Sequence, residues 1–291
     1  MKRFRLRGKR RRNRTPDQDR IPLRSLAPNA ITSLAACAGI TSIAFSSEGR
    51  WIPALWALLL ACVCDGMDGR VARLLKASSK LGAELDSLAD FVNFGVAPAM
   101  FMFFWLTGGP THEVGGVHIA APIVRLVLGA SLFYAMCDCF RLARFNTMLE
   151  QPSLPYWKNY FLGVPAPGGC WMVMSPAVLS LALDAKGTAP ALASFLQNPV
   201  FGIGMLLLVG SLMASRLPTI SLKHLHISRG AVLPVMAGVL LAVAFLASNF
   251  WLTIGLVGIA YIFTVPITCA FFSRARSRYE RMQSMSAQVQ G

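Results

Sequence analysis

The chain has 291 residues, of which 55% are hydrophobic, and its net charge is +15. This apolar content excludes an ordinary soluble domain of the same length and favours a protein that crosses a membrane several times. Eleven Lys and Arg residues fall within residues 1–24, and no nucleic-acid-binding module follows them, so this basic head is predicted to lie on anionic lipid headgroups.

Eight apolar segments follow in chain order. They run over residues 29–46, 51–73, 85–107, 119–147, 162–184, 198–217, 230–247 and 250–272. Most of them are long enough to cross about 30 Å of hydrocarbon, since a helix rises about 1.5 Å per residue. The predicted fold is therefore all-α, a polytopic membrane helical bundle with about eight transmembrane helices.

Basic residues are distributed unequally between the two sets of loops. Arg and Lys cluster before the first segment, between the second and third, and after the fourth, sixth and eighth segments. The opposite loops hold only Arg50 and Lys186. Because loops rich in Lys and Arg stay on the cytoplasmic side, both termini are predicted to be cytoplasmic.

Four aspartates lie in the second and third segments, namely Asp65, Asp68, Asp86 and Asp90. The first two are spaced i, i+3 and the last two i, i+4, so each pair shares one helix face. The short connection over residues 74–84 carries a turn signal, Ser78-Ser79 followed by Gly82. It predicts two antiparallel neighbouring helices whose acids converge near their cytoplasmic ends.

Converging carboxylates repel one another unless cations neutralise them. Hard divalent ions such as Mg²⁺ take oxygen ligands, and a pair of them is suited to displacement at phosphorus. Ionisable groups at membrane depth usually mark a pathway or a reactive site. The four acids therefore predict a divalent-cation site with a functional role.

The residues around these acids have the order Asp-x-x-Asp-Gly-x-x-Ala-Arg, then eight residues, then Gly-x-x-x-Asp-x-x-x-Asp. This order resembles the signature of the CDP-alcohol phosphatidyltransferase family. Its positions are filled by Asp65, Asp68, Gly69, Ala72, Arg73, Gly82, Asp86 and Asp90. Four further stretches, which start at Pro28, Asp86, Arg141 and Gly163, resemble the membrane-type members that make phosphatidylserine. The resemblance covers residues 25–230.

The resemblance implies a six-helix family core followed by two further helices. The expected divisions are a basic cytoplasmic segment over residues 1–27, a catalytic membrane domain over 28–230, two transmembrane helices over 231–272 and a cytoplasmic tail over 273–291. It also implies a homodimer in a bacterial-type inner membrane, with the active site on the cytoplasmic side.

The implied reaction transfers the phosphatidyl group of CDP-diacylglycerol to the hydroxyl of L-serine, which gives phosphatidylserine and CMP. Two divalent cations, Mg²⁺ or Mn²⁺, would be held by Asp65, Asp68, Asp86 and Asp90. Asp90 would also act as the general base. The residues expected to bind CDP-diacylglycerol are Asn29, Thr32, Gly69, Ala72, Arg73, Ser79 and Gly82.

A pocket for serine or phosphate is expected among Arg141, Arg144, Asn146, Arg216 and Lys223. Arg141 and Arg144 are spaced i, i+3, so either guanidinium is placed to clamp the serine carboxylate or the lipid phosphate. An equally weighted interpretation makes both arginines interfacial anchors, with Asp138 paired to Arg141.

Three alternatives stay open from the sequence. The same chemistry could use another acceptor, such as glycerol 3-phosphate, an inositol phosphate or choline. A divalent-cation transporter is less favoured because the acids lie toward one membrane face, whereas transport sites tend to lie near the midplane. A structural scaffold leaves the four acids without a role.

Overall fold

The protein is built almost entirely from helices. A computed structural model describes residues 26–77, 79–109, 113–114, 116–148, 160–215, 217–220, 232–268 and 272. Its helices are α1 Leu26–Ser47, α2 Trp51–Leu74, α3 Lys80–Asp90, α4 Ala97–Thr107, α5 Ala121–Met148, α6 Ala166–Asp184, α7 Pro190–Leu196, α8 Pro199–Ala214, α9 Val232–Ser248 and α10 Phe250–Thr268. The prediction of an all-α membrane protein is confirmed.

Each of the eight apolar segments corresponds to helical structure. Among the described residues, six helices are long and apolar enough to span a membrane: α1, α2, α5, α6, α10 and the rod Lys80–Thr107, in which α3 and α4 are continuous. The bent pair α7–α8, with a bend of 56°, would make a seventh span. In α9 the apolar part, Met236–Ser248, is shorter than the other spans. These helices fit the predicted multi-pass membrane protein.

Two short antiparallel strand pairs accompany the described helices. Strand β1 (Glu113–Val114) pairs with β2 (Val117–His118), and β3 (Tyr160–Leu162) pairs with β4 (Pro218–Ile220). The second pair joins the chain before α6 to the chain after α8. Strands of two or three residues are too short to show an alternating pattern, so the sequence did not predict them.

The core of the described part of the chain lies where α2, α4, α5, α6 and α8 meet around the turn Phe91–Val96. Its fully buried large side chains include Leu55, Phe94, Phe101, Tyr134 and Met172. Helix α1 packs along α2 and also contacts α3, while α5 packs along α8. Other large apolar side chains on the long helices are exposed, among them Leu60 and Leu132. An apolar outer surface on long helices is what a lipid-facing bundle requires.

A six-residue π-helical turn, Phe91–Val96, connects α3 to α4. It begins directly after Asp90, the last residue of α3. The Tyr134 hydroxyl on α5 donates a hydrogen bond of 2.9 Å to the Phe94 carbonyl within this turn. Single π-helical turns are rare and frequently lie at functional sites.

Candidate active site

Three acids form a compact cluster between α2 and α3. Asp65, Asp68 and Asp86 each place a carboxylate oxygen so that the three oxygens lie within 4.8 Å of one another. Asp68 is the most buried, with 4% of the residue exposed, while Asp65 and Asp86 are partly buried. The i, i+3 spacing on α2 brings the first two acids to one face, and α3 supplies the third from the opposite side.

Asp90 lies one turn beyond Asp86 on α3 and completes a second cross-helix pair. Its carboxyl group lies close to that of Asp65, as the carboxyl group of Asp86 lies close to that of Asp68. The Asp90 Oδ1 atom is buried and has no hydrogen-bond partner among the described residues. The structure therefore brings all four acids to one place, with Asp90 at its inner end.

The charge of this cluster is not balanced by nearby basic side chains. Within the described ranges the ion pairs join Arg50 to Glu48 and Arg141 to Asp138, and no Lys or Arg nitrogen comes within 4.0 Å of the four acids. Clustered carboxylates inside an apolar bundle need a compensating positive charge. A donor set made only of carboxylate oxygens fits a hard divalent cation, so Asp65, Asp68 and Asp86 could hold a metal ion.

Helix α1 fixes the orientation of Asp68. The Thr32 hydroxyl lies 2.6 Å from Asp68 Oδ2 and 3.1 Å from the carbonyl oxygen of Pro28, four residues earlier in α1. A hydroxyl has one proton to donate, and the shorter contact is to the carboxylate, which is also the stronger acceptor. Thr32, which is 4% exposed, therefore supports an acid of the cluster directly.

A cleft of about 180 Å³ opens beside the acids. Six of the seven residues expected to bind CDP-diacylglycerol line it, together with Asp68 and Asp86: they are Asn29, Thr32, Gly69, Ala72, Ser79 and Gly82. The seventh, Arg73, is exposed and donates a 3.0 Å hydrogen bond from Nε to the Gly69 carbonyl on its own helix. The cleft and the acid cluster thus share one wall.

The two glycines of the cleft differ in what surrounds them. A Cβ atom added to Gly82 would lie 2.9 Å from Asn29 Oδ1 and 3.1 Å from Ser79 Oγ, so a side chain there would require Asn29 and Ser79 to shift. A Cβ atom added to Gly69 would meet nothing within 4 Å. Packing within the protein therefore does not explain Gly69, which faces the open cleft.

Ser79 has a local structural role at the cleft. It is the N-cap of α3, with extended backbone angles, and its Oγ accepts a 3.0 Å hydrogen bond from the Gly82 backbone N–H. This contact satisfies one of the free N–H groups at the start of α3. Since α3 carries Asp86 and Asp90, the cap also fixes the start of the helix on which these two acids lie.

Three of the five residues expected to form an acceptor pocket lie in the described part of the chain, and each makes its own contacts. Arg144 Nη1 donates to the carbonyls of Ala214 at 2.8 Å and Ser215 at 3.3 Å, at the C-terminal end of α8. Asn146 Nδ2 donates to Ser87 Oγ at 3.0 Å and joins α5 to α3. Arg141 lies 4.0 Å from Asp138. Arg216 and Lys223 lie outside the described residues.

Two buried polar residues near the π-helical turn were not among the predicted site residues. Asn93 has both amide atoms, and Asp138 both carboxylate oxygens, without a hydrogen-bond partner among the described residues. From the sequence, Asp138 was considered only as a partner of Arg141. An acid inside an apolar helix is itself a signal for function, and this signal could have identified Asp138.

Most of the chain matches one known protein family. The model of the family described as CDP-alcohol phosphatidyltransferase matches residues 25–210. The chain belongs to the CDP-alcohol phosphatidyltransferase family. This match includes the acid cluster, the cleft and α1 to α6, so the predicted family and the predicted class of phosphotransferase enzyme are confirmed.

Several relatives are similar to this CDP-alcohol phosphatidyltransferase over most of its length. One from Mycobacterium leprae is 35% identical over 242 residues, which are 83% of this chain and 73% of the relative. One from Mycobacterium tuberculosis is 36% identical over 247 residues, 83% of this chain and 77% of the relative. One from Helicobacter pylori is 34% identical over 194 residues, 66% and 70% respectively. Each is named CDP-diacylglycerol–serine O-phosphatidyltransferase.

Proposed function

We propose that the protein transfers the phosphatidyl group of CDP-diacylglycerol to the hydroxyl group of L-serine, giving phosphatidylserine and CMP. The observation that carries the proposal is the cluster of Asp65, Asp68 and Asp86 at the wall of a cleft lined by small residues. The family acts on CDP-alcohols. The choice of serine is supported by the name that the similar proteins share.

The cleft would receive the nucleotide part of CDP-diacylglycerol. Gly69 and Ala72 leave room for it along α2, and Asn29 offers an amide from α1. Arg73 lies beside this cleft, and its Nη groups make no hydrogen bond within the described part of the chain. A guanidinium in that position can donate to a phosphate oxygen.

The four acids would divide the chemistry. Asp65, Asp68, Asp86 and Asp90 would hold two divalent cations, Mg²⁺ or Mn²⁺, which when bound neutralise the diphosphate and favour the departure of CMP. Asp90, whose Oδ1 has no partner among the described residues, would take the proton of the serine hydroxyl. The serine oxygen then bonds to the β-phosphorus as the bond from that phosphorus to the CMP oxygen breaks.

The site would face the cytoplasm of a bacterial-type inner membrane. The connection between α2 and α3 and its flanks carry Arg70, Arg73, Lys76 and Lys80, and basic loops stay on the cytoplasmic side. The same rule places both termini there, with residues 1–27 on anionic lipid. From the family resemblance we further expect a homodimer, with the catalytic domain over residues 28–230.

The test is CMP release by the purified protein in detergent, with CDP-diacylglycerol, Mg²⁺ or Mn²⁺, and a panel of acceptors. We expect serine-dependent release that EDTA stops and added metal restores. Release with glycerol 3-phosphate, an inositol phosphate or choline but not with serine would refute the serine assignment and leave the phosphotransferase chemistry. Uptake of divalent cations into vesicles, with no CMP release for any acceptor, would favour a transporter.

A further inference from the structure

A second group of buried charges lies on α5, outside the acid cluster. The Asp138 side chain is fully buried, with 0% exposed, and neither of its oxygens has a hydrogen-bond partner among the described residues. Arg141, one turn later, comes no closer than 4.0 Å to Asp138 Oδ1. Its Nε is also buried and has no partner within the described ranges. The two charges are therefore close to each other, but neither satisfies the other's hydrogen-bonding groups.

Such an arrangement destabilises the folded protein, so folding does not explain why it is present. A buried charge needs both an opposite charge and hydrogen bonds, and a loose pair supplies only part of this. Apolar residues at both positions 138 and 141 would avoid the penalty. Unsatisfied buried groups in a folded protein require an explanation, and a ligand that supplies the missing donors and acceptors is one.

The pair lies on α5, which packs against the π-helical turn that follows the proposed base, Asp90. Asp90 is within electrostatic range of both Asp138 and Arg141. The π-helical turn that follows Asp90 brings the backbone of Gly95 against α5, where an added Cβ atom would lie 2.8 Å from Asp138 Oδ2. The hydrogen bond from Tyr134 to the Phe94 carbonyl holds this turn to α5. The distance between Asp90 and the pair is thus set by packed structure.

We propose that Asp138 and Arg141 recognise the acceptor as a zwitterionic amino acid. Asp138 accepts hydrogen bonds from the ammonium group and Arg141 donates to the carboxylate, while the hydroxyl group points toward Asp90. Arg141 keeps 16% of its side chain exposed, whereas Asp138 has 0% exposed, so the acceptor would approach from the Arg141 side. This inference rests on the proposed function.

The same pair disfavours other acceptors. Glycerol 3-phosphate and inositol phosphates would bring a second anion next to Asp138, and choline would leave Arg141 without a carboxylate. An acceptor site built for particular polar groups discriminates strongly against analogues that lack them, because its own buried groups are then left unpaired. Asp138 would therefore be a specificity-determining residue.

The test compares serine with 3-hydroxypropionate, which is serine without its ammonium group. The KM of each, or the Ki where the analogue is not turned over, is measured for the wild-type protein and for Asp138→Asn. We expect the serine KM to rise about tenfold or more in the variant, while the 3-hydroxypropionate value changes less than about twofold. An equal rise for both compounds would overturn the proposal, because Asp138 would then only orient Arg141. An unchanged serine KM would also overturn it.

Arg141→Gln gives an independent measurement if Asp138→Asn does not fold. Here the second acceptor is ethanolamine, which is serine without its carboxylate. We expect the serine KM to rise and the ethanolamine KM to stay constant, and parallel changes would overturn the proposal. Asp184→Asn is the matched control, since Asp184 ends the apolar helix α6 and accepts from Gln197 Nε2 at 3.1 Å, so its serine KM should not change.

The same data separate this inference from the proposed function. A wild-type protein that releases CMP with an alcohol lacking an ammonium group, but not with serine, would refute the proposed function and this inference together. A wild-type protein that uses serine, with a serine KM that Asp138→Asn leaves unchanged, would refute this inference alone.

Discussion

The contact between Thr32 and Asp68 allows the cation site to be tested without changing any acid. Thr32→Val keeps the shape of the side chain and removes the hydroxyl that lies 2.6 Å from Asp68 Oδ2. Asp68 then loses the donor that orients it, although its charge stays. We expect weaker metal binding, because residues that orient metal ligands contribute substantially to affinity.

The size of the effect follows from the type of hydrogen bond. A buried hydrogen bond to a charged group contributes about 1.5–3 kcal/mol. Since about 1.4 kcal/mol corresponds to a factor of ten in an equilibrium constant, the Mg²⁺ or Mn²⁺ concentration for half-maximal activity should rise about 10- to 100-fold. At saturating metal most of the turnover should return, since the four acids are intact.

The assay is CMP release with CDP-diacylglycerol and serine, titrated with the metal ion. Thr41→Val is the matched control, because Thr41 lies on the same helix and, within the described ranges, its hydroxyl bonds only the Cys37 carbonyl, at 2.7 Å, four residues earlier. That variant should keep the wild-type metal dependence. A metal requirement for Thr32→Val within twofold of the wild-type value would refute the support role that we assign to this hydroxyl.

Three further predictions concern the cleft, the base and the end of α8. Gly69→Ala should raise the KM for CDP-diacylglycerol several-fold without loss of thermal stability. Gly66→Ala is the control on the same helix and should leave this KM unchanged, because Gly66 also has open space but does not line the cleft. Equal effects of the two substitutions would contradict the assignment of the cleft as the nucleotide site. Asp90→Asn should lower kcat at least about 100-fold while binding of CDP-diacylglycerol stays measurable, and normal turnover would exclude Asp90 as the base. Arg144→Gln should lower stability by about 1–2 kcal/mol, measured as thermal unfolding in detergent, because it frees the carbonyls of Ala214 and Ser215. Unchanged unfolding with a raised serine KM would contradict this structural role and favour the predicted place of Arg144 in the acceptor pocket.

The sequence was most informative where a function depends on spacing within one helix. The i, i+3 and i, i+4 intervals of the acids, together with a short connection, were enough to predict that Asp65, Asp68 and Asp86 come together. The apolar segments could be predicted equally well, because the thickness of a bilayer sets a minimum length for every span. In both cases the information lies within a few consecutive turns of chain.

Contacts that depend on packing between distant helices could not be predicted from the sequence. Thr32 was expected at the nucleotide, and its contact with Asp68 depends on how α1 lies against α2. Arg144 was expected at the acceptor, and its hydrogen bonds reach carbonyls about 70 residues away in the chain. The π-helical turn after Asp90 has no sequence signal of its own, since its residues read as an ordinary apolar helix.

Different helices supply different parts of the site. The signature acids lie on α2 and α3, but α1 contacts both helices and supplies Asn29 and Thr32 to the same cleft. The proposed chemistry at the diphosphate would therefore depend on three helices rather than on the signature alone. Helix α5 reaches the site from the other end, beyond Asp90, where Asp138 and Arg141 are buried. If acceptor choice resides on α5, substitutions there should change which alcohol is used while the metal requirement set by α1 to α3 stays the same.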